Sequence, residues 1–322
     1  MTLISMLLAL IIERLAVRSD AWQASGYLRA YVRLSASSGL SKLASHRIGQ
    51  YIWLALPGAV LALVLCLLDS HLVSLVVNTL VLLLAIGCWH YRQLYKHYLN
   101  AMERGDEEAG FLAMQQIRQD SGSREQSSYG QVLVWLNFQY YAAVVFWFLV
   151  AGVFGVITYA LVRHLQQQKG QYNVEVSASA DSDVEFDTDS DDDELAAKQA
   201  PEQVSYQTSE QAEAYFRCVP ADSKAVGIVA HWLNWFPARL FGLGFALVGH
   251  FSRATSTLLS YFLDFTADNE LVITEVAAAA EPMPELVVNT IEESGHMLQL
   301  AKRNMLFFLA LTAMLTLAGW LA

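Results

Sequence analysis

Charge is scarce in this chain. Only 16% of its 322 residues are Asp, Glu, Lys or Arg, while 55% are hydrophobic, a balance that excludes an ordinary water-facing domain. Carboxylates are missing altogether from residue 126 through 174, so a phosphate-activating site built on that stretch would lack the oxygens that hold magnesium. Three cysteines, Cys66, Cys88 and Cys218, form neither a CxxC pair nor an even framework, which excludes a disulfide scaffold. The eight histidines include no HExxH pair, and no Gly-x-x-x-x-Gly-Lys-Ser/Thr loop occurs; a zinc-peptidase helix and a P-loop are thereby excluded. No basic stripe suited to nucleic acid is present either. Neither a metal nor a cofactor is expected.

What the chain has in abundance is apolar sequence. A bilayer crossing takes about 20 predominantly apolar residues, and Tyr51 to Leu68, Leu72 to Trp89 and Tyr140 to Val162 meet that length, with Met305 to Ala322 closing the chain. Residues 2–12 form a shorter run without a basic segment before it or a small-x-small pattern after it, so it reads as a retained helix packed on the bundle and not as a cleaved signal. No period-two alternation is long enough for a sheet. The expected fold is all-α, a polytopic membrane helical bundle with amphipathic helical hairpins.

Three regions follow: membrane helices with a cytoplasmic helical hairpin over 1–165, a linker over 166–211, and a helical region over 212–322. Nine of the fourteen residues from Asp181 to Glu194 are acidic; set aside from the net charge of −11, they leave the remainder at −2. The linker is too poor in large apolar residues to offset chain entropy and is expected to be a disordered acidic loop. Tyr91, Leu94, Tyr95, Tyr98 and Met102 form a helical stripe, Gly105 ends that helix, and Asp106 caps Glu107 to Gln119. Val287, Ile291, Ser294, Leu298 and Ala301 mark a second such face.

Lys and Arg favour the cytoplasmic side of short loops. Arg14, Arg18, Arg29, Arg33, Lys42 and Arg47 precede the first two spans, Arg92, Lys96 and Arg104 follow them, and the tip between has neither. Both flanks therefore belong to the cytoplasm, and Tyr140 to Val162 should run outward. Two arrangements then remain open. If residues 227–251 cross, Lys302 and Arg303 return inside and the acidic loop is periplasmic; Arg163 and Lys169 instead favour a cytoplasmic loop and a re-entrant 227–251. That segment carries His231, Asn234, Pro237, Arg239 and His250 within apolar sequence, groups that lipid alone does not tolerate. Asn137, Asn234 and Arg239 are the candidate site residues, as a ligand-binding or a structural polar cluster, with Pro237 breaking the helix and its freed carbonyls met by neighbours.

Thr2-Leu3 to Glu13-Arg14-Leu15, the Gly105-Asp106 hairpin, Trp135-Leu136-Asn137-Phe138-Gln139-Tyr140-Tyr141 leading to Phe146-Trp147, Gly152 and Gly155, and Asn234-Trp235-Phe236-Pro237-Ala238-Arg239-Leu240 resemble the AmpE family over nearly the whole chain outside the acidic insert. That family is similar to the cobalamin-biosynthesis membrane proteins CbiB and CobD, sharing the Asn-x-x-Pro-Ala-Arg-Leu segment. The resemblance implies a multi-pass inner-membrane protein of Gram-negative bacteria, a sensory or modulator component of β-lactamase induction linked to peptidoglycan turnover. The cobalamin enzymes resemble ATP-dependent amide ligases; here Gln139 and Tyr140 stand where their Asp is expected, and no Gly-Asp-Pro follows Glu13-Arg14-Leu15. The resemblance therefore implies a non-enzymatic regulator whose partners are the bilayer, cell-wall fragments or other membrane proteins. A residual amide synthetase or membrane transferase and a muropeptide-type transporter are the alternatives.

Overall fold

The computed structural model describes residues 2–16, 23–37, 46–68, 70–182 and 223–319. Those residues are helical, with no strand among them. By length and composition, four helical stretches are apolar enough to cross a membrane: Ile48–Leu68, His71–Glu103, Tyr129–Gln168 and Ile291–Leu317.

The short first helix, α1 (Thr2–Ala16), buries Met6 and Ala9 and packs on the second long span. Helix α2 (Ala24–Ser37) turns Leu28, Val32 and Ser35 inward, while α3 (Arg47–Leu68) and α4 (His71–Ile86) follow one another in sequence but pack little on each other, α3 lying chiefly on the long helix of residues 143–182 and α4 on that helix and α1. Leu63, Leu67, Leu72, Val76 and Leu80 are exposed on this pair, as suits side chains whose solvent is hydrocarbon. Two faces can be named from it: a tip face near Ser70 and a base face near Ala85 and Arg92.

On the base side, α5 (Trp89–Glu103) and α6 (Glu107–Ser121) make the helical hairpin. Asp106 caps α6 by accepting from the Ala109 N–H at 3.0 Å. The tyrosine stripe packs into a small core with Met114, Ile117, Val132 and Leu133. Helix α7 (Tyr129–Asn137) opens with a capping box: Ser128 Oγ accepts from Gln131 N–H, and Gln131 Oε1 accepts from Ser128 N–H at 3.0 Å. A π-turn, Phe138–Ala142, leads on into α8 (Ala143–Ser182).

Helix α8 is not one outward span. At Gly152 the backbone takes φ 60° and ψ −145°, a region that only glycine occupies readily, and the chain reverses there. Arg163, on the return arm, donates through Nη1 to the Gln139 carbonyl at 2.8 Å and through Nη2 to the Ala85 carbonyl at 2.9 Å. An unbent helix would hold residues 139 and 163 roughly 36 Å apart. Gly152 shares a crevice with Ala62, Leu65, Cys66, Ser74 and Asn78, near the tip face. The arm 139–151 thus rises to the tip and 153–168 returns to the base, correcting the expectation that Tyr140 to Val162 runs straight outward. Apolar length alone does not distinguish one crossing from a hairpin of two packed arms.

Helix α9 (Ser223–Val248) packs antiparallel to the rising arm, with Leu233 beside Trp147 and Phe241 beside Phe138. Helices α10 (Phe251–Phe262) and α11 (Asn269–Ala280) fold against it, and α12 (Ile291–Leu317) runs alongside α7 in the same direction, Glu293 by Ser128 and Met297 by Gly130. Two expectations need correction. Composition places the start of the linker at residue 166, yet helix continues to Ser182; the rest of the linker, and Cys218 beyond it, lie outside the described residues. Pro237 was expected to break its helix, yet α9 runs through it, because the carbonyl that loses its partner finds another.

Candidate functional site in the Arg239 polar knot

A proline inside a helix removes the bond to the carbonyl four residues back. For Pro237 that carbonyl belongs to Leu233, and Trp147 Nε1–H donates to it at 3.0 Å. The same solution recurs in α3: Pro57 frees the Trp53 carbonyl, which accepts from the Tyr31 hydroxyl at 2.9 Å. Each freed carbonyl in these apolar helices is met by one aromatic donor from a neighbouring helix.

Six residues beyond Leu233, Arg239 is buried, at 3% exposure. Its guanidinium donates to Asn269 Oδ1 at 2.6 Å, to the Asp264 carbonyl at 2.7 Å and to the Trp235 carbonyl at 3.3 Å, and it lies 4.6 Å from the Trp235 ring centre. Asn269 in turn donates to the His231 carbonyl at 2.9 Å, and His231 Nε2–H donates to the Phe265 carbonyl at 2.8 Å. The loop that supplies these carbonyls is shaped by Asp264, whose Oδ1 accepts from Thr266 Oγ1, Thr266 N–H and Ala267 N–H. Those bonds, the Thr266 hydroxyl's first, hold the Asp264 carboxyl below its ordinary range. The knot clamps α9 to the start of α11.

The three sequence candidates do not meet. Asn234 is buried and accepts from the Tyr159 hydroxyl on the return arm at 3.1 Å. Asn137 is half-buried, and its Oδ1 has no hydrogen-bond partner. Among the described residues no hydrogen bond joins any two of Asn137, Asn234 and Arg239. Asn269, His231 and the Asp264 carbonyl complete the Arg239 group, and no spacing in the sequence connects residue 269 with residue 239. Carboxylates also reach the carboxylate-free middle stretch from distant helices. Glu13 of α1 pairs with Arg92 at 2.6 Å and accepts from the Tyr141 hydroxyl at 3.2 Å. Glu293 of α12 accepts from Ser128 Oγ and, at 2.6 Å, from Asn289 N–H, at the paired N-termini of α7 and α12 where a negative charge is favoured. Glu270 of α11 accepts from Arg124 N–H at 3.0 Å; burial pushes its carboxyl up to about 7.

Long apolar helices, a folded-back helical hairpin and polar groups closed on one another define a polytopic all-α membrane protein. The family model described as regulatory signalling modulator protein AmpE matches residues 1–184 and 207–322, and the chain belongs to the AmpE family. It is similar to Protein AmpE of Shigella flexneri, 27% identical over 337 residues, an alignment covering 99% of each chain. No solved structure matches.

Proposed function

We propose that this protein is an inner-membrane regulator that adjusts β-lactamase induction to peptidoglycan turnover, and that it acts through contacts and not by catalysis. Its family description as a regulatory signalling modulator carries the reading. The state of the buried carboxylates supports the non-enzymatic part: Glu13 is committed to an arginine, Glu270 and Glu293 to backbone and hydroxyl donors. In this reading Asn234 and the Nη donors of Arg239 hold the bundle together, and Asn137 Oδ1 and Arg239 Nε, both buried without a hydrogen-bond partner, are the groups left for a cell-wall fragment or a neighbouring membrane protein to meet when the bundle opens.

Deleting the gene in a strain with an inducible β-lactamase is expected to change the enzyme level reached after a cell-wall antibiotic, and restoring the gene to reverse the change. An unaltered induction curve would sink the regulatory reading. Growth of a cobalamin-synthesis mutant rescued by this gene would overturn the non-enzymatic reading while leaving membrane placement intact.

A further inference from the structure

Helix α2 sits at the base of the bundle for a specific reason. Its Tyr31 hydroxyl satisfies the Trp53 carbonyl that Pro57 frees, near the start of α3, and the helix packs on α8. With Leu28, Val32 and Ser35 turned inward, the remaining surface divides into two flanks. Arg29 and Arg33 project on one, and Tyr27 and Leu34, 61% and 67% exposed, on the other; at 3.6 residues per turn the two pairs lie roughly 130° apart. Gly26 and Ala30 form the low ground between, so that Gly26, Arg29, Ala30, Arg33 and Leu34 line one shallow groove.

The charge on this surface is of one sign. No acidic residue occurs in Ala24–Ser37, and among the described residues neither guanidinium meets a carboxylate; Arg29 Nε donates only to its own helix, at the Ser25 carbonyl. A helix fixed at the end of a membrane span, apolar on one flank and basic on the next, has the make-up of an interfacial element. We propose that α2 is a docking surface for anionic phospholipid, the phosphate held by Arg29 and Arg33 and the acyl chains lying along Tyr27 and Leu34.

The test uses the purified full-length protein in detergent, offered phosphatidylglycerol and phosphatidylcholine in equal amounts, with retained lipid counted by native mass spectrometry. The wild type is expected to retain phosphatidylglycerol preferentially. Loss of about fivefold for each guanidinium, roughly thirtyfold for the R29Q/R33Q pair, is expected from the attraction of one basic residue to an anionic surface. The R29K/R33K protein keeps both charges and is expected to keep the preference. Equal retention of the two lipids by the wild type, or a preference surviving in R29Q/R33Q, would overturn the proposal. So would loss of preference in R29K/R33K, which would trace the effect to packing. Displacement of the lipid by inorganic phosphate at matched concentration would assign the groove to a soluble anion and overturn the lipid assignment.

Discussion

Arg239 donates through Nη1 and Nη2 to Asn269 Oδ1 and two backbone carbonyls inside the protein, its Nε alone having no partner, and removing it leaves those acceptors buried without a partner. Arg239→Ala is therefore expected to destabilise the fold by about 3 kcal/mol or more, since each hydrogen bond to a charged group contributes roughly 1.5–3 kcal/mol and orphaned partners add to the loss; a thermal melt in detergent would read it. Gly244 shows the opposite limit, where space and not bonding is scarce. A Cβ there would stand 2.1 Å from Asn304 Oδ1 and 2.6 Å from the Phe308 ring, so Gly244→Ala should cost about 1–3 kcal/mol through overpacking. Glu270 gives a pH dependence. Burial raises its folded carboxyl from 4.5 to about 7, so the folded state binds more protons than the unfolded one between those values. Its contribution is complete below the lower value and is lost as pH rises through the upper. Stability should fall from pH 5 to pH 8 by on the order of 3 kcal/mol on this account, and a Glu270→Gln protein that kept the full slope would refute it.

At the scale of elements, two helices hold prolines without breaking because the carbonyl each proline frees is met from outside. In α9 the donor is Trp147 Nε1. Trp147→Phe keeps most of the ring's packing but strands the Leu233 carbonyl, an expected cost of about 1–3 kcal/mol. Pro237→Ala restores a backbone N–H to that carbonyl from within the helix. The two changes should therefore be strongly non-additive, the Phe substitution costing much less in the Pro237→Ala background; strict additivity in detergent melts would show that the indole bond carries no weight. The sequence shows the prolines but not their partners, because Trp147 and Tyr31 come from helices whose approach is decided by packing. The amphipathic stripe from Tyr91 to Met102 was legible, since its period belongs to the element itself, and the same is true of the Asp106 cap. The Arg239 group was legible only as a buried charge in need of a partner: Asn269 and the Asp264 carbonyl arrive from a loop thirty residues on, and that proximity has no local signature.

The same division between local and tertiary information decides the topology of the whole molecule. Apolar length marks residues 140–162 as membrane sequence, but the direction of travel after Gly152 depends on one backbone conformation and on which carbonyls Arg163 reaches. Both of those carbonyls, Gln139 and Ala85, lie at the base of the bundle, and the Arg163 guanidinium lies 3.8 Å from the Tyr140 ring centre, so residue 168 leaves from the face where residue 139 entered. The base also carries Arg92, Lys96, Arg104, Arg118 and Arg124, the composition of a cytoplasmic surface. The exit point of the return arm is therefore expected in the cytoplasm. A fluorescent protein inserted at residue 170 should mature there, and alkaline phosphatase at the same position should stay inactive. Active phosphatase would mean that the arm crosses and that the Arg163 contacts do not hold in the membrane. Gly152→Ala separates backbone strain from crowding: no atom lies within 4 Å of the added methyl, yet the positive φ should cost about 1–3 kcal/mol. If that strain is what the reversal rests on, the alanine protein should lose stability while the reporters at residue 170 keep their cytoplasmic reading, because Arg163 still ties both arms to the base.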